Sequence, residues 1–556
     1  MSLIAGKQAF LEILKQEGVS VMFGNPGTTE LPLMDGLARE PGIRYVLALQ
    51  EGVAVTMADG YALASGRLGV VNVHVAPGLG NAMGMLYDAM KSGSPMLVTA
   101  GQHDQSFNAT EPILWAELPP VAQPFVKWST EVHRLEDLPR LVRRAIKTAF
   151  AQPTGPVFLS LPVDVLNAVR DVELGAPTRV APRIVGDRAA VDAAARLLAR
   201  AERPLLVAGD AVAHGNALAE MVELAELTGA PVMTECAASV CSFPFTHPLY
   251  AGPMPRLMPA LRALLMKHDL LFSVGGDLFL LSLPDDVEPM PPGLPIVHLD
   301  VNPWELGKNY PEAVSILGDP KATLPELCEA LRRHTGKTGH PAAGRRRETI
   351  AAAHAESRAA LEKKARAEAQ RVPMSPLALV HAIAASVPDD AVVVDESISS
   401  ALGVRNFFRC ADPKAFFGLR GGGIGWGLGA ALGAKLALPG RPVVALVGDG
   451  SAMYTFQGLW TAAREHLAVL FVIFNNASYR ILKQRVLALK GFSAEDDHYV
   501  GMDLDRPPID FLGLARALGV PGERVEKAAD VAAAVGRSLV SGGPYLIDAR
   551  IDPSFK

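Results

Sequence analysis

The sequence predicts an α/β protein with three doubly wound parallel-sheet domains. The first observation is that continuous apolar runs of strand length alternate with helical patterns along most of the 556 residues. Such runs are typical of strands in a parallel sheet that helices cover on both faces. The second observation is the length, which exceeds what one hydrophobic core usually supports. The third is a pair of polar linkers that separate three segments of this pattern.

Composition and charge exclude several functional classes. Hydrophobic residues make up 49% of the chain and charged residues 20%, as in globular proteins. A formal net charge of −5 does not favour a nucleic-acid partner or an anionic membrane surface. No uncharged apolar run is long enough to span a bilayer, and residues 1–18 have the pattern of an amphipathic helix rather than a signal peptide. We therefore expect a cytoplasmic protein with no nucleic-acid or membrane partner.

The four cysteines do not predict a metal site or a disulfide framework. Cys236, Cys241, Cys328 and Cys410 lack zinc-type spacing with nearby histidines. We interpret them as scattered buried thiols in a reducing compartment.

The first domain is expected to span residues 1–173. The turn Gly24-Asn25-Pro26-Gly27-Thr28-Thr29 ends the first apolar run, and its two threonines can cap the next helix. Gln50 and Glu51 follow the second run. His74 ends the third run, and a helix is expected to open at Gly78. The apolar runs lie at residues 19–23, 45–49, 70–74, 96–100 and 157–161.

The middle domain is expected to span residues 188–335. Its apolar runs lie at residues 205–208, 231–233, 270–274 and 296–299, and glycine turns follow two of them, at Gly209 and at Gly275-Gly276. A nucleotide could approach these turns, but a clean G-x-G-x-x-G pattern is missing, which favours a purely structural domain.

A charged, Ala-rich helical linker is expected at residues 336–372. It contains Arg345-Arg346-Arg347, which we interpret as part of a solvated link rather than a binding patch. The third domain is expected at residues 373–556. Its size and pattern resemble those of the first domain and suggest an ancient duplication.

Polar residues follow two apolar runs of the third domain. Gly448-Asp449-Gly450-Ser451 comes after the run 443–447, and the run 470–474 ends in Asn475-Asn476-Ala477-Ser478. A helical pattern lies between them, so the segment is predicted to be a βαβ unit. In open parallel sheets, ligands bind at the carboxyl ends of the strands.

These polar residues predict a metal and diphosphate site. Asp and Asn side chains with a loop carbonyl are oxygen ligands that suit Mg²⁺, which also takes phosphate oxygens. Gly450 and Ser451 open the helix, so free N–H groups can face an anion. The plain alternatives are a helix N-cap for Asp449 and a turn residue for Asn476.

Four motifs occur in a fixed order along the chain. They are Gly-Asn-Pro-Gly-Thr at 24–28, Gln50-Glu51, Pro77-Gly78-Leu79-Gly80-Asn81, and the metal motif at 448–476. Together they resemble the thiamine diphosphate-dependent decarboxylase and carboligase family over nearly the whole chain. The resemblance implies that the first domain binds the aminopyrimidine of the cofactor and the third binds its diphosphate and Mg²⁺. It also implies a middle domain that is structural or carries FAD or ADP, and a dimer or tetramer with active sites between subunits.

The resemblance also implies residue roles in cofactor binding. Glu51 would be the carboxylate that hydrogen-bonds the pyrimidine ring. Without the other motifs, we would interpret it as a surface acid at the start of a helix. Ile424, in a glycine-rich loop, would support the bent cofactor, or else be ordinary core. Ser399 would donate to the diphosphate. The remaining cofactor contacts would be Gly423, Gly448, Gly450 and Ser451, and the metal ligands Asp449, Asn476 and the Ser478 carbonyl.

Within that family, the substrate residues are similar to those of the benzoylformate decarboxylases. His74 matches their active-site histidine and could position the substrate carboxylate or relay a proton. Thr28 stands where they have a serine. They also carry a middle-domain histidine, whereas residues 275–282 here contain none. These two departures leave the substrate side chain open.

The sequence therefore predicts non-oxidative decarboxylation of a 2-keto acid to an aldehyde and CO₂. An acetolactate synthase-like carboligase is the alternative. A catalytically silent protein or nucleotide sensor is a third possibility, which the presence of Glu51 disfavours. Apolar residues in a loop after the metal motif are expected to line a pocket: Ile481, Leu482, Val486 and Leu487.

Overall fold

The computed structural model describes residues 3–555, which form two compact units. One unit comprises the chain as far as Val180, Ala369–Leu402 and the residues from Leu419 onward. The other comprises Ala181–Glu368 and Gly403–Gly418. Three six-stranded sheets with helices between their strands confirm the predicted α/β class and three-domain architecture. In the described part of the chain, no helix combines the length and apolar character needed to cross a membrane.

The N-terminal domain is built on a parallel sheet of strand order β3-β2-β4-β5-β7-β6. The central strands are buried along their whole length, as their continuous apolar sequences predict. The short strands β1 and β8 pair antiparallel outside this sheet. The strands are β1 (Ile4–Ala5), β2 (Val21–Gly24), β3 (Arg44–Leu47), β4 (Gly69–Val73), β5 (Met96–Gln102), β6 (Ser129–Glu131), β7 (Pro156–Pro162) and β8 (Val169–Arg170). The helices are α1 (Gly6–Gln16), α2 (Leu31–Leu37), α3 (Glu51–Ser65), α4 (Val75–Ser92), α5 (Leu118–Ala122), α6 (Leu138–Phe150) and α7 (Val163–Asn167).

Two local predictions for this domain are wrong. Helix α4 begins at Val75 rather than at Gly78, because the Gly78 N–H already bonds to the His74 carbonyl, 2.7 Å away, in the first turn. The two threonines do not cap α2. Instead the chain makes a 3₁₀ turn, Thr28–Glu30, and the Glu30 carboxylate accepts from the Gly27 N–H at 2.9 Å.

The middle domain forms a parallel sheet of order β11-β10-β9-β12-β13-β14. Strand order reverses between β9 and β12, and the turns after these strands touch: a Cβ on Gly209 would lie 2.2 Å from the Gly275 carbonyl oxygen. The strands are β9 (Pro204–Ala208), β10 (Val232–Thr234), β11 (Tyr250–Pro253), β12 (Leu270–Val274), β13 (Ile296–Asp300) and β14 (Val314–Leu317). The helices are α8 (Arg188–Arg200), α9 (Asp210–His214), α10 (Leu218–Thr228), α11 (Met258–Leu265), α12 (Pro320–Thr335) and α13 (Ala343–Ala367).

Helix α13 occupies most of the expected linker, but it is more than a solvated link. Arg345 and Arg347 are exposed, as expected. Arg346 instead donates to the main-chain oxygens of Thr228 and Ala201, at 3.0 and 2.7 Å.

The cysteines are free thiols, and all but the half-buried Cys236 are buried.

Within the first unit, the C-terminal domain forms a parallel sheet of order β15-β17-β18-β20-β19. The strands are β15 (Val392–Glu396), β16 (Phe416–Gly418), β17 (Val443–Gly448), β18 (Val469–Asn475), β19 (Gly522–Val525) and β20 (Tyr545–Arg550). The helices are α14 (Pro376–Ala384), α15 (Val404–Phe407), α16 (Trp426–Ala437), α17 (Asp449–Thr455), α18 (Gly458–Arg464), α19 (Arg480–Leu489), α20 (Phe492–Glu495), α21 (Phe511–Ala517) and α22 (Ala528–Ser541).

The predicted βαβ unit is present, since β17 and β18 are parallel neighbours. Its connection differs in detail, because two short helices, α17 and α18, replace one continuous helix. The four apolar residues expected in a loop after the metal motif lie instead on helix α19.

Helices α3 and α16 bring the N- and C-terminal domains together within the first unit. Their backbones approach closely at glycines, because a Cβ on Gly60 would lie 2.2 Å from the Ala430 oxygen. A Cβ on Gly433 would lie 2.0 Å from the Met57 oxygen. Helix α3 begins at the candidate residue Glu51, and α16 begins at Trp426, just after the candidate residues Gly423 and Ile424.

Candidate functional site

Asp449 begins helix α17 directly after β17, and its carboxylate is only half satisfied. The residue is 3% exposed. Its Oδ1 accepts from the Gly450 N–H at 2.8 Å, while its Oδ2 is buried without a hydrogen-bond partner. Burial raises the pKa of Asp449 to about 6, and the nearby main-chain N–H groups of residues 450 and 476–478 oppose that rise. A buried carboxylate oxygen of this kind is costly unless a cation binds it.

The neighbouring strand end supplies an amide and a hydroxyl. The Asn476 Oδ1 accepts from the Ser478 N–H at 3.0 Å and from the Ser478 hydroxyl at 2.9 Å. Asn475 faces elsewhere, because its side chain is bonded to Asp548 and Arg550, each at 2.8 Å. Of the two adjacent asparagines, only Asn476 belongs to this cluster.

The donor set fits a hard divalent cation. Residues 3–555 contain no group of three His, Cys, Asp or Glu side chains that could hold a metal ion. A cation here would therefore bind the free Asp449 oxygen, the Asn476 side chain and the Ser478 carbonyl. Mg²⁺ suits such a sparse oxygen set, because it keeps water molecules and takes phosphate oxygens. We refer to Asp449, Asn476 and Ser478 as the Asp449 cluster.

Ser399 lies after β15, beside a buried arginine that the sequence analysis missed. The Arg480 Nε donates to the Ser399 hydroxyl at 3.1 Å, and its Nη2 donates to the Ser399 carbonyl at 2.8 Å. Since the hydroxyl accepts from Arg480, its own hydrogen can donate to another group. Burial lowers the pKa of Arg480, while the carboxylates of Asp552 and Asp449 oppose that effect. The same guanidinium also fixes Ser400.

The glycine-rich loop before α16 is held by two buried acids. The Gly423 N–H donates to the Asp88 Oδ1 at 3.0 Å, and the Gly425 N–H donates to the Glu396 Oε1 at 2.6 Å. Ile424 stands between them and is half-buried. Burial raises the pKa of Asp88 to about 8 and that of Glu396 to about 7. The acids fix the loop in place and leave the Ile424 side chain partly accessible.

Glu51 begins α3 after β3 and is 6% exposed, so it is not a surface acid. The Asn81 amide donates to its Oε2 at 3.0 Å. Its Oε1 lies against α4, where a Cβ on Gly78 would approach within 2.9 Å. The preceding Gln50 caps the helix by accepting from the Val53 N–H at 3.1 Å.

His74 follows β4 and is bonded to an acid absent from the predicted site. Its Nδ1 lies 2.7 Å from the Glu30 Oε2. Glu30 is 1% exposed, whereas Thr28, two residues earlier, is exposed. A Cβ on Gly27 would lie 2.1 Å from the His74 Nδ1, so this turn packs directly on the imidazole.

Three residues with positive φ mark the strand ends around these side chains. Val75 (φ 41°) follows His74, Ile398 (φ 50°) precedes Ser399, and Ala477 (φ 54°) separates Asn476 from Ser478. Positive φ is costly for a side-chain-bearing residue, above all a β-branched one, and such strain concentrates at functional sites.

The sheet edges gather the predicted residues into two groups. Thr28, Glu51 and His74 lie just beyond the adjacent strands β2, β3 and β4. Ser399 and the Asp449 cluster lie beyond the adjacent strands β15, β17 and β18, where Gly448, Gly450 and Ser451 also lie. The contact between Gly423 and Asp88 joins the two domains. The group in the N-terminal domain has side chains that can form hydrogen bonds and transfer protons. The group in the C-terminal domain has groups that can bind a cation and an anion.

His298 on β13 does not take the place of the middle-domain histidine that residues 275–282 lack. His298 on β13 is fully buried, its Nδ1 lies 2.8 Å from a Glu312 oxygen, and its Nε2 lies 3.0 Å from the Gly276 oxygen. Both ring nitrogens are therefore engaged within the middle domain.

Comparisons with protein families cover all three domains. The N-terminal TPP binding domain of thiamine pyrophosphate enzymes matches residues 4–115. The central domain of these enzymes matches residues 191–327, and their C-terminal TPP binding domain matches residues 399–549.

Relatives that match over nearly the whole chain include decarboxylases and acetolactate synthases. A benzoylformate decarboxylase of Pseudomonas aeruginosa is 34% identical over 547 residues, which is 97% of either chain. A probable acetolactate synthase large subunit of Methanococcus aeolicus is 28% identical and covers 99% of this chain and 92% of its own. The solved structure of a thiamine diphosphate-dependent 4-hydroxybenzoylformate decarboxylase from Rhodococcus jostii RHA1 superimposes with a TM-score of 0.87, at 32% identity over 100% of both chains.

Proposed function

Since the chain belongs to the thiamine pyrophosphate enzyme family, as its sequence motifs predict, we propose that it decarboxylates a 2-keto acid without oxidation and releases an aldehyde and CO₂. We further propose thiamine diphosphate and Mg²⁺ as its cofactors, and a substrate similar to benzoylformate. The relatives from Pseudomonas and Rhodococcus support this choice.

The observation that carries the proposal is the unsatisfied Oδ2 of Asp449 beside Asn476. This oxygen, the Asn476 side chain and the Ser478 carbonyl would hold Mg²⁺. The Ser399 hydroxyl and the backbone around Gly448 and Ser451 would bind the diphosphate. The N–H groups of Gly423 and Gly450 are not free as predicted, because they donate to Asp88 and Asp449, so these two glycines would contribute only a close approach of the backbone. When bound, thiamine diphosphate supplies the electron sink for the pair left behind by departing CO₂.

Glu51 would hold the other end of the cofactor and exchange a proton with it. Its burial and its bond from Asn81 orient the carboxyl group, so that it can exchange a proton with a ring nitrogen. Ile424, held by its flanking glycines, supports the cofactor ring. The apolar side chains of α19 help to exclude water, which favours loss of CO₂.

His74 and Thr28 act on the substrate. The bond between the His74 Nδ1 and Glu30 leaves Nε2 available. This nitrogen can bind the substrate carboxylate, or it can deliver a proton to the substrate carbon from which CO₂ has departed. Thr28 is exposed at the same strand edge and offers its hydroxyl. Its methyl group narrows the space relative to serine.

We propose a cytoplasmic dimer or tetramer with active sites between subunits. The family resemblance supports this arrangement. For the boundaries we propose a pyrimidine-binding domain at residues 1–173, a structural middle domain at 188–335, a helical linker at 336–372, and a diphosphate-binding domain at 373–556.

Carboligation is the second candidate. The absence of a middle-domain histidine in residues 275–282 favours it, because one proton donor fewer then competes with a second carbonyl compound. The acetolactate synthase relative also supports it.

The decisive experiment incubates the protein with thiamine diphosphate, Mg²⁺ and a panel of aromatic and aliphatic 2-keto acids. We expect equal amounts of CO₂ and aldehyde from an aromatic 2-keto acid. Hydroxyketone in place of aldehyde would establish the carboligase. No CO₂ from any member of the panel would contradict both proposals.

A further inference from the structure

We propose that Glu30 is the positioning residue for His74, and that it fixes which imidazole nitrogen carries hydrogen. The inference rests on the proposed function, in which His74 acts on the substrate. Glu30 lies in the 3₁₀ turn after β2, and His74 lies at the end of the neighbouring strand β4. The two residues are 44 positions apart in sequence, and the sheet brings their side chains into contact.

Glu30 has four donors around one carboxylate. Its Oε1 accepts from the Gly101 N–H at 2.7 Å and from the Thr29 hydroxyl at 2.9 Å. Its Oε2 accepts from the Gly27 N–H at 2.9 Å and faces the His74 Nδ1 at 2.7 Å. Two of these donors are main-chain N–H groups, which cannot turn away, so the carboxylate is fixed at both oxygens.

The filled carboxylate determines the state of the imidazole. Main-chain N–H groups donate to both Glu30 oxygens, and the Thr29 hydroxyl, 3.3 Å from the His74 Nδ1, donates to Oε1 at 2.9 Å; the Glu30 oxygens thus act as acceptors, and the His74 Nδ1 donates to Oε2. The hydrogen is therefore on Nδ1 in either charge state of the ring. Nε2 is then a free acceptor in the neutral ring and a donor in the protonated ring. Both forms point the reactive nitrogen away from Glu30.

The surrounding backbone keeps the ring from turning. A Cβ on Gly27 would lie 2.1 Å from the His74 Nδ1, which shows that the turn and the ring are in contact. Val75, directly after His74, has a φ of 41° despite its β-branched side chain. A strained backbone is maintained only where the surroundings determine it fully, which is consistent with a histidine held for function.

A neutral amide cannot replace the carboxylate. In Glu30→Gln, the new NH₂ group would face either the Gly101 N–H or the Gly27 N–H, and two donors cannot bond. If it faced the Gly27 side, it would also donate to the His74 Nδ1 and force hydrogen onto Nε2. We therefore expect the variant to lose the single tautomer, and kcat to fall about 10- to 100-fold, the range found when the partner that orients a metal-bound histidine is lost.

The test is ¹⁵N NMR of histidine-labelled protein, with His74→Ala used to identify the signal of His74. We expect hydrogen on Nδ1 in the parent protein and a mixed or Nε2-protonated ring in Glu30→Gln. The kinetic effect should fall on kcat, with an unchanged affinity for thiamine diphosphate and Mg²⁺. Glu17→Gln is the matched control, because the Glu17 side chain is 1% exposed and bonded to Arg143 and Arg179. It should leave both readouts of His74 unchanged.

Hydrogen on Nε2 alone in the parent protein would overturn the proposal, even if Glu30→Gln failed to fold. An unchanged tautomer in a folded variant, with kcat within twofold of the parent, would also overturn it. Because the tautomer is measured without substrate, its failure is distinct from failure of the proposed activity, which the CO₂ assay reports.

Discussion

Two buried acids at the ends of two similar sheets are used in opposite ways. Glu30, in the N-terminal domain, receives donors at both oxygens. Asp449, in the C-terminal domain, has one bonded oxygen and one bare oxygen. A saturated carboxylate has no capacity left and can only orient its neighbours. An unsaturated one, in the same kind of position, has a site left for a cation.

Glu51, like Asp449, has a hydrogen-bond donor on only one oxygen. Asn81 holds one of its oxygens, and the other lies against α4. A carboxyl group with one fixed and one less constrained oxygen is suited to exchange a proton without losing its orientation. Glu30 has four donors, whereas Glu51 and Asp449 have one each, and only the Asp449 Oδ2 is buried without a partner; we therefore propose Glu30 as the orienting acid, Glu51 as the proton-exchange group and Asp449 as the metal ligand.

The largest expected effect is on Glu51, if it is a proton-exchange group rather than another orienter. Glu51→Gln keeps the shape of the side chain but cannot ionise. We expect kcat to fall about 100- to 10,000-fold, the usual contribution of a general acid or base. Steady-state CO₂ release at saturating cofactor measures it. A variant as fast as the parent would contradict the proposed mechanism.

The next effect distinguishes the two adjacent asparagines. Asp449→Ala and Asn476→Ala remove the proposed metal ligands. We expect each to weaken activation by Mg²⁺ by more than about 100-fold, which is the upper limit for loss of a residue that only supports a ligand. Asn475→Ala is the control, because its side chain bonds to Asp548 and Arg550. Titration of activity with Mg²⁺ gives the three values. Equal losses at Asn475 and Asn476 would remove the distinction drawn from the structure.

The last effect is on stability rather than activity, and it concerns another half-satisfied acid, Asp88. Its Oδ2 is buried without a partner, and burial raises its pKa from 3.8 to about 8. The folded state binds this proton more tightly than the unfolded state does. The protonated Asp88 therefore contributes its full stabilisation below about pH 3.8, and this stabilisation is lost as the pH rises through about 8. Asp88→Asn imitates the protonated acid and keeps an acceptor for the Gly423 N–H.

The parent should therefore lose stability relative to Asp88→Asn by about 1 kcal/mol per pH unit between these values. Urea unfolding of both proteins at several pH values measures the difference. Parallel stability curves for the two proteins would show that Asp88 is ionised in the folded state and that the bare oxygen is satisfied in solution.

Apolar runs ending in polar residues predicted much of the fold and both edges of the candidate site. The periodicity and length of the apolar runs predict where the strands lie, and parallel pairing then brings the carboxyl ends of the strands together. This is why Asp449 and Asn476, 27 positions apart by number, were predicted to act together. Local chain details were harder: α4 begins at Val75 and the connection after β17 is broken, because single hydrogen bonds decide helix boundaries.

The residues that the sequence did not predict work through distant partners. Glu30 bonds to Gly101, 71 positions away, and Asp88 bonds to Gly423, 335 positions away. Neither acid has a local motif that separates it from a surface acid. Arg480 adjoins the metal motif, and its position after Ser478 and Tyr479 was the one available signal; its partners Ser399 and Ser400 lie on another strand end.

The most direct test of the central contrast is the melting temperature of the apo protein with thiamine diphosphate, with and without Mg²⁺. A bare buried oxygen at Asp449 predicts a cofactor-induced rise that requires Mg²⁺, with about 2.7 kcal/mol of stabilisation at a ligand concentration one hundred times Kd. Asp449→Ala should abolish the rise and Glu30→Gln should retain it. No rise in the parent, or an equal rise in Asp449→Ala, would contradict the account.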